Sequence, residues 1–177
     1  MKHILKLLFI TVFVLFSCSN KEKRKTEKNA NVRERIKVIK LGEGRTIIFP
    51  AEYAKKILTH PNKVTGVFTP DVETIKYIEE NLPSNFDSIL APFQKNSSLR
   101  LFKKDLAKYD KQFLGYTNSK KDSLIVGYIV NLESDPYKIK PRLEKEFCLC
   151  LDGWCYTNTC EFIFNKKTKR FGNSNSE

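Results

Sequence analysis

Apolar and polar positions divide the chain into three regimes. Ile4 to Phe16 is largely apolar, while Asn20 to Asn31 holds a single apolar residue, Ala30. From about Arg33 to Phe171 the apolar positions become periodic, over roughly 140 residues, enough for one domain with its own core. Ile36–Lys40 and Thr46–Phe49 read as a hairpin around Gly42-Glu43-Gly44, where glycine supplies positive φ, and Pro50 ends the second strand. Ala54, Ile57 and Leu58 share one face of a short helix over 51–58, which His60-Pro61-Asn62 terminates. After a strand at Val64–Phe68, Thr69 is suited to cap a helix, with Pro70 at its first position and Asp71 and Glu73 at its positive end. Val72, Ile75, Ile78 and Leu82 mark its buried stripe, Lys76, Glu79 and Glu80 its solvated face, and Pro83 its stop.

The second half reads mainly as strand. Lys111–Tyr116 and Ser123–Leu132 are rich in aromatic and β-branched residues and flank a polar turn. Glu144–Leu151 and Trp154–Tyr156 flank Asp152-Gly153, a hairpin signal, and Glu161–Asn165 and Arg170-Phe171 flank a lysine-rich turn. Strands in succession without long helices between them imply an antiparallel sheet. The expected class is α+β: five to seven strands with one or two helices packed on a face.

The opening regime changes the picture more than any later motif. Lys2 and Lys6 form a short positive n-region overlapping the start of a largely apolar run of thirteen residues, Ile4 to Phe16, about 20 Å as a helix, too short for a hydrocarbon core of roughly 30 Å. Those are the proportions of a secretory signal peptide, and Leu15-Phe16-Ser17-Cys18 resembles the lipobox of bacterial lipoproteins. That resemblance implies lipidation of Cys18 as the mature N-terminus. Two or three acyl chains then anchor the protein without spanning the membrane. Ser19 after the cysteine favours the outer membrane of a Gram-negative envelope. The expected layout is a signal peptide over 1–17, a lipidated Cys18 and basic tether over 18–32, a domain over 33–171, and a short tail over 172–177.

Charge matters chiefly in the tether. The formal net charge is +12; without Lys2 and Lys6, thirty basic groups face twenty acidic ones, a net +10. The segment from Asn20 to Asn31 cannot bury a core and reads as a solvated spacer; the fourteen residues from Cys18 to Asn31 reach roughly 20 Å as a flexible chain. Adhesion to anionic headgroups is its alternative use. Export removes nucleic acid as the expected partner despite a pI near 9.5.

Phe68-Thr69-Pro70, the strand Gln112-Phe113-Leu114-Gly115-Tyr116, and Asp152-Gly153 ahead of a closing hairpin at Arg170-Phe171 resemble small lipoproteins of the Bacteroidota. The likeness runs from about Val64 to Phe171. It implies a compartment and an architecture, and carries no chemistry.

Beyond Cys18, the cysteines fall in one cluster, Cys148-x-Cys150-x4-Cys155-x4-Cys160. An even set in an oxidising compartment implies two disulfides. A two-residue turn at Asp152-Gly153 sets Cys150 opposite Cys155, within disulfide reach. Cys148 with Cys160 completes the favoured pairing of three; a four-thiolate zinc site is the rival, its spacing unlike paired Cys-x2-Cys knuckles. Such cross-links would hold Trp154 and Tyr156 at a hairpin tip, a candidate partner surface.

Catalytic signatures are missing from the sequence. His60 is the one histidine after cleavage and reads as a turn residue. No nucleophile elbow, phosphate-cradling loop or metalloprotease motif occurs, and Asp105, Asp110 and Asp122 lie scattered among lysines. Tyr109, Phe113, Tyr116, Tyr128 and Trp154 could line a ligand groove, but aromatic residues on strands read first as core. No cofactor is expected. The expected function is a non-catalytic envelope lipoprotein that binds or inhibits a protein or glycan partner. A structural or assembly role, or a hydrolase using unrecognised carboxylates, are the alternatives.

Overall fold

The computed structural model describes residues 35–58, 63–93, 99–133, 135, 137–147 and 157–172. The expected α+β class holds. Seven strands form one sheet: β1 (Lys37–Ile39), β2 (Thr46–Ile48), β3 (Val64–Phe68), β4 (Asp110–Asn118), β5 (Ser123–Val130), β6 (Thr159–Asn165) and β7 (Arg170–Gly172). Helix α1 (Ala51–Ile57) lies between β2 and β3, and α2 (Val72–Leu90) follows β3. The order is β1-β2-β4-β5-β6-β7, with β3 also paired to β4.

One pair departs from the expected antiparallel sheet. β2 runs parallel to β4, Ile47 level with Gln112, while β3 pairs antiparallel with the other half of the same β4 edge, Phe68 level with Gly115. Two short strands thus divide one long edge, and α1 is the connection between them. The crossover that the parallel β2–β4 pair needs runs through α1, β3 and α2.

Alternation along the strands sends apolar groups to both faces. Phe113, Ile125, Ile129, Phe162 and Phe164 pack with Ile75, Ile78, Leu82 and Phe86 of α2. Leu114, Val126, Tyr128 and Ile163 pack on the opposite face with Ala54 of α1 and with Leu143 and Phe147. The two helices therefore cover opposite faces, where one covered face was expected. Tyr109, Phe113, Tyr116 and Tyr128 are buried, as read.

Three local expectations need correction. The cap of α2 is Asp71, whose carboxylate accepts from Thr74 N–H at 2.7 Å; the Thr69 hydroxyl instead accepts from Ala51 N–H at 2.9 Å. Pro83 does not end α2, which runs seven residues further, to Leu90. An interior proline costs about 3 kcal/mol, but the added turns bury Phe86, Ile89 and Leu90, each contributing about 1.5–3 kcal/mol. Burial wins. Finally, no described glycine has positive φ. Gly42 and Gly44 serve close approach: a Cβ on Gly42 would lie 2.9 Å from the Ala107 carbonyl oxygen, and one on Gly44 would collide with that of Tyr109.

Glu144–Phe147, read as the start of a strand, is a turn. The Asp135 carboxylate accepts from Ile139 and Lys140 N–H at 2.7 and 2.9 Å, and Arg142 and Leu143 N–H bond back to the Ile139 carbonyl. Buried Gln112 donates to the carbonyls of Leu143 (2.7 Å) and Glu146 (2.8 Å), fixing the turn to the sheet.

Candidate functional site

A cavity of about 290 Å³ lies where the β1–β2 loop, α2 and the segment before β4 meet. Leu41, Leu82, Pro83 and Leu106 supply apolar wall; Lys76, Glu79, Glu80 and Lys111 supply charge. Two of these groups are deeply placed. Lys111 begins the inward-facing row of β4, Glu79 lies one turn beyond Ile75 on α2, and their charged ends meet at 3.0 Å with side chains 4% and 13% exposed. Each is further tied: Lys111 Nζ donates to the Tyr109 carbonyl at 3.2 Å, and the Thr46 hydroxyl donates to Glu79 Oε1 at 2.8 Å. The pair bridges strands β2 and β4 to helix α2 through polar bonds.

Buried ions are costly unless paired and hydrogen-bonded, and here both conditions are met. The arrangement supplies a fixed dipole at the base of the cavity. Pro83 adds to it, since it has no N–H to give the Glu79 carbonyl four residues back. The wall thus combines polar and apolar groups around a fixed ion pair. Its two innermost charges, Glu79 and Lys111, neutralise one another.

The sequence pattern puts Glu79 on the solvated face of α2 and marks Lys111 as an ordinary strand residue, whereas in the fold both lie inside. The signal was legible for Glu79, which is four residues after Ile75 and three before Leu82, the spacing of the buried stripe itself. For Lys111 there was none, since nothing local says which strand start meets a helix.

A second polar cluster is structural. Asp110, 6% exposed, accepts from Arg45 N–H at 2.7 Å and from its guanidinium at 2.6 and 3.0 Å. Arg45 reaches on to Glu144 (2.7 Å) and the Lys140 carbonyl (3.0 Å). This knot joins the β1–β2 loop, β4 and the 139–146 turn. Of the other scattered carboxylates, Asp105 pairs with Lys108 at 2.8 Å, and the backbone N–H of Asp122 bonds to Asn118. They do not converge. Among the described residues no group of three His, Cys, Asp or Glu side chains is placed to hold a metal ion.

Cys160 lies on β6 opposite Ile129, a buried free thiol in the core under α2. Desolvation, then the charge of Glu161, pushes its pKa up to about 12. Cys18, His60, Cys148, Cys150, Cys155, Trp154 and Tyr156 lie outside the described residues, as do the tether and the Asp152-Gly153 turn. The disulfide pairing and the hairpin-tip surface therefore rest on sequence alone. Among the described residues no helix is long and apolar enough to cross a membrane.

No protein-family model matches the chain, and no curated protein or solved structure is significantly similar to it.

Proposed function

We propose that this chain is an envelope lipoprotein, anchored by acyl groups on Cys18 in the outer membrane of a Gram-negative bacterium, whose domain binds a protein or glycan partner without transforming it. The observation that carries the reading is Leu15-Phe16-Ser17-Cys18, closing an apolar run too short to span a bilayer. A basic tether then separates the cysteine from a sheet with a core on each face.

The α2 cavity supports binding over chemistry. Its volume, about 290 Å³, suits one projecting sugar or side chain, at the lower end of sites that take a small ligand. Its two innermost charges neutralise one another, so the cavity offers orientation and hydrogen bonds.

Replacing the cysteine tests the anchor. Wild-type chain expressed with a palmitate analogue is expected to take up label and to sediment with membranes. Cys18→Ala is expected to lose the label, and to be released or left unprocessed. Labelling that persists in the variant, or firm retention of a cleaved variant, overturns the lipoprotein reading.

A further inference from the structure

Strand register collects the basic residues of three segments at one end of the sheet. Thr117 on β4 pairs with Ser123 on β5, and Leu124 pairs with Asn165 on β6, so the β4–β5 and β6–β7 turns are neighbours. A bond from Lys166 N–H to the Ser123 carbonyl, 3.0 Å, joins them directly. The start of β3 arrives at the same place, Val64 level with Asn118. Lys120 and Lys121 occupy the first turn, Lys166, Lys167 and Lys169 the second with Arg170 opening β7 beside it, and Lys63 leads into β3.

All of these except Lys166 are exposed, and Lys166 is bound to Asp71 at 2.9 Å. Asp122 is the other carboxylate in these turns, and no ion pair links it to a described lysine there. Aromatic rings stand among the charges. Lys169 Nζ is 4.9 Å from the centre of the Tyr77 ring, which is 36% exposed, and Lys166 Nζ is 5.3 Å from that of Phe68. Concentrated cations with rings beside them match a phosphate-bearing lipid surface, where ammonium groups meet headgroups and amphipathic rings sit at the boundary.

Chain direction points the same way. β1 is antiparallel to β2, and β2 is parallel to β4. Lys37 therefore stands level with Ile48 and Phe113. Strand β1 thus starts level with the middle of β4 and points away from the basic end.

We propose that this basic end of the sheet docks on an anionic phospholipid surface, setting the domain against the membrane with the α2 cavity at the far end. This rests on the reading that Cys18 holds the chain at a membrane. The cavity is lined by Gly42, Ala107 and Lys111, at the opposite end of β4 from Asn118. Docking leaves it available to a partner.

The test uses the unlipidated chain from Ser19 onward, its tether common to every variant. Sedimentation with vesicles of phosphatidylcholine mixed with phosphatidylglycerol is compared with sedimentation on pure phosphatidylcholine. One variant carries Lys120→Gln, Lys121→Gln, Lys167→Gln and Arg170→Gln. Its control carries Lys40→Gln, Lys104→Gln, Lys140→Gln and Lys145→Gln, also exposed and of equal net charge. The expected result is salt-sensitive binding to the anionic vesicles only, weakened roughly tenfold or more by the first set and less than about threefold by the second. Equal weakening by both sets reduces the effect to net charge and overturns the proposal, as does no binding to anionic vesicles. Binding to heparin that matches the anionic vesicles and falls equally with the first set assigns the surface to a soluble polyanion instead. Because no lipid is attached to the protein, failure here leaves the Cys18→Ala result standing, and the reverse holds.

Discussion

The two ends of the sheet both carry many lysines and arginines, yet they are built differently. At the end where β4 begins, Arg45 is bound by Asp110 and Glu144, Lys111 by Glu79, and Lys108 by Asp105. At the end where β4 finishes, Lys166 with Asp71 is the one ion pair that the described residues make in the adjoining turns. Against its own desolvation, the Lys166 ammonium and the Thr74 N–H and hydroxyl hold the Asp71 carboxyl well below the ordinary carboxylate range. Even that acid is engaged. A net charge counts both ends alike; pairing separates them into one end that uses charge to hold its loops and one that presents it. Removing a paired charge should therefore cost folding stability at the first end, and removing a displayed one should cost surface affinity at the second.

The largest expected effect is at the cavity. Lys111→Ala leaves Glu79 largely buried and without its ion-pair partner, and is expected to cost about 3–5 kcal/mol in chemical denaturation. Glu79→Leu combined with Lys111→Met is expected to recover most of that loss, because it removes both desolvation costs and keeps the volume. A double variant as unstable as Lys111→Ala alone would mean that the pair is held by something other than mutual neutralisation. The first end would then no longer contrast with the second in the way described.

How much of this was legible follows from how local each signal is. The β4–β5 and β6–β7 hairpins stood out, since neighbouring strands joined by a polar turn need only alternation and turn residues. The β2–β4 parallel pair did not, because its two strands are more than sixty residues apart and nothing local states a pairing. Pro83 misled because proline chemistry is local while the burial of Phe86, Ile89 and Leu90 is not; the spacing Leu82, Phe86, Ile89, Leu90 was nonetheless present. The Glu144–Phe147 turn is set by Asp135 and Gln112, one upstream and one on another strand, so β propensity in the segment itself pointed the wrong way. For the candidate site, Glu79 followed the buried spacing and Lys111 carried no mark at all.

At the first end lies Cys160, level with Lys111 through Ile129, where the sequence-based pairing with Cys148 and a buried thiol make opposite predictions. A thiol raised from an ordinary value of 9.0 to about 12 keeps its proton in the folded state when the unfolded chain has lost it. Its contribution is complete below pH 9 and declines as pH rises toward 12, amounting to a loss of about 1.4 kcal/mol by pH 10. Denaturation of wild type and Cys160→Ala at pH 7 and pH 10 isolates this part, since other groups titrate alike in both. The difference between the two proteins is expected to shift by that amount. No shift, together with a Cys148–Cys160 peptide in non-reducing mass spectrometry, would restore the sequence-based pairing.

The smallest expected effect sharpens the comparison most, because it separates display from support. Lys120, Lys121, Lys167 and Arg170 are exposed and bound by no described carboxylate. Exposed substitutions away from buried networks stay within about 0.5 kcal/mol. Lys121 has positive φ (63°), so its backbone is strained, but glutamine inherits the same backbone and brings no branching at Cβ. The four-residue Lys/Arg→Gln variant is therefore expected to unfold within about 0.5 kcal/mol of wild type. It should be slightly more stable at low salt, where like charges in adjoining turns repel, and that gain should vanish as salt screens them over roughly 8 Å. Urea denaturation at low and physiological ionic strength measures both. A loss of 2 kcal/mol or more would show that these turns are held by their charges, and the two ends of the sheet would then be alike.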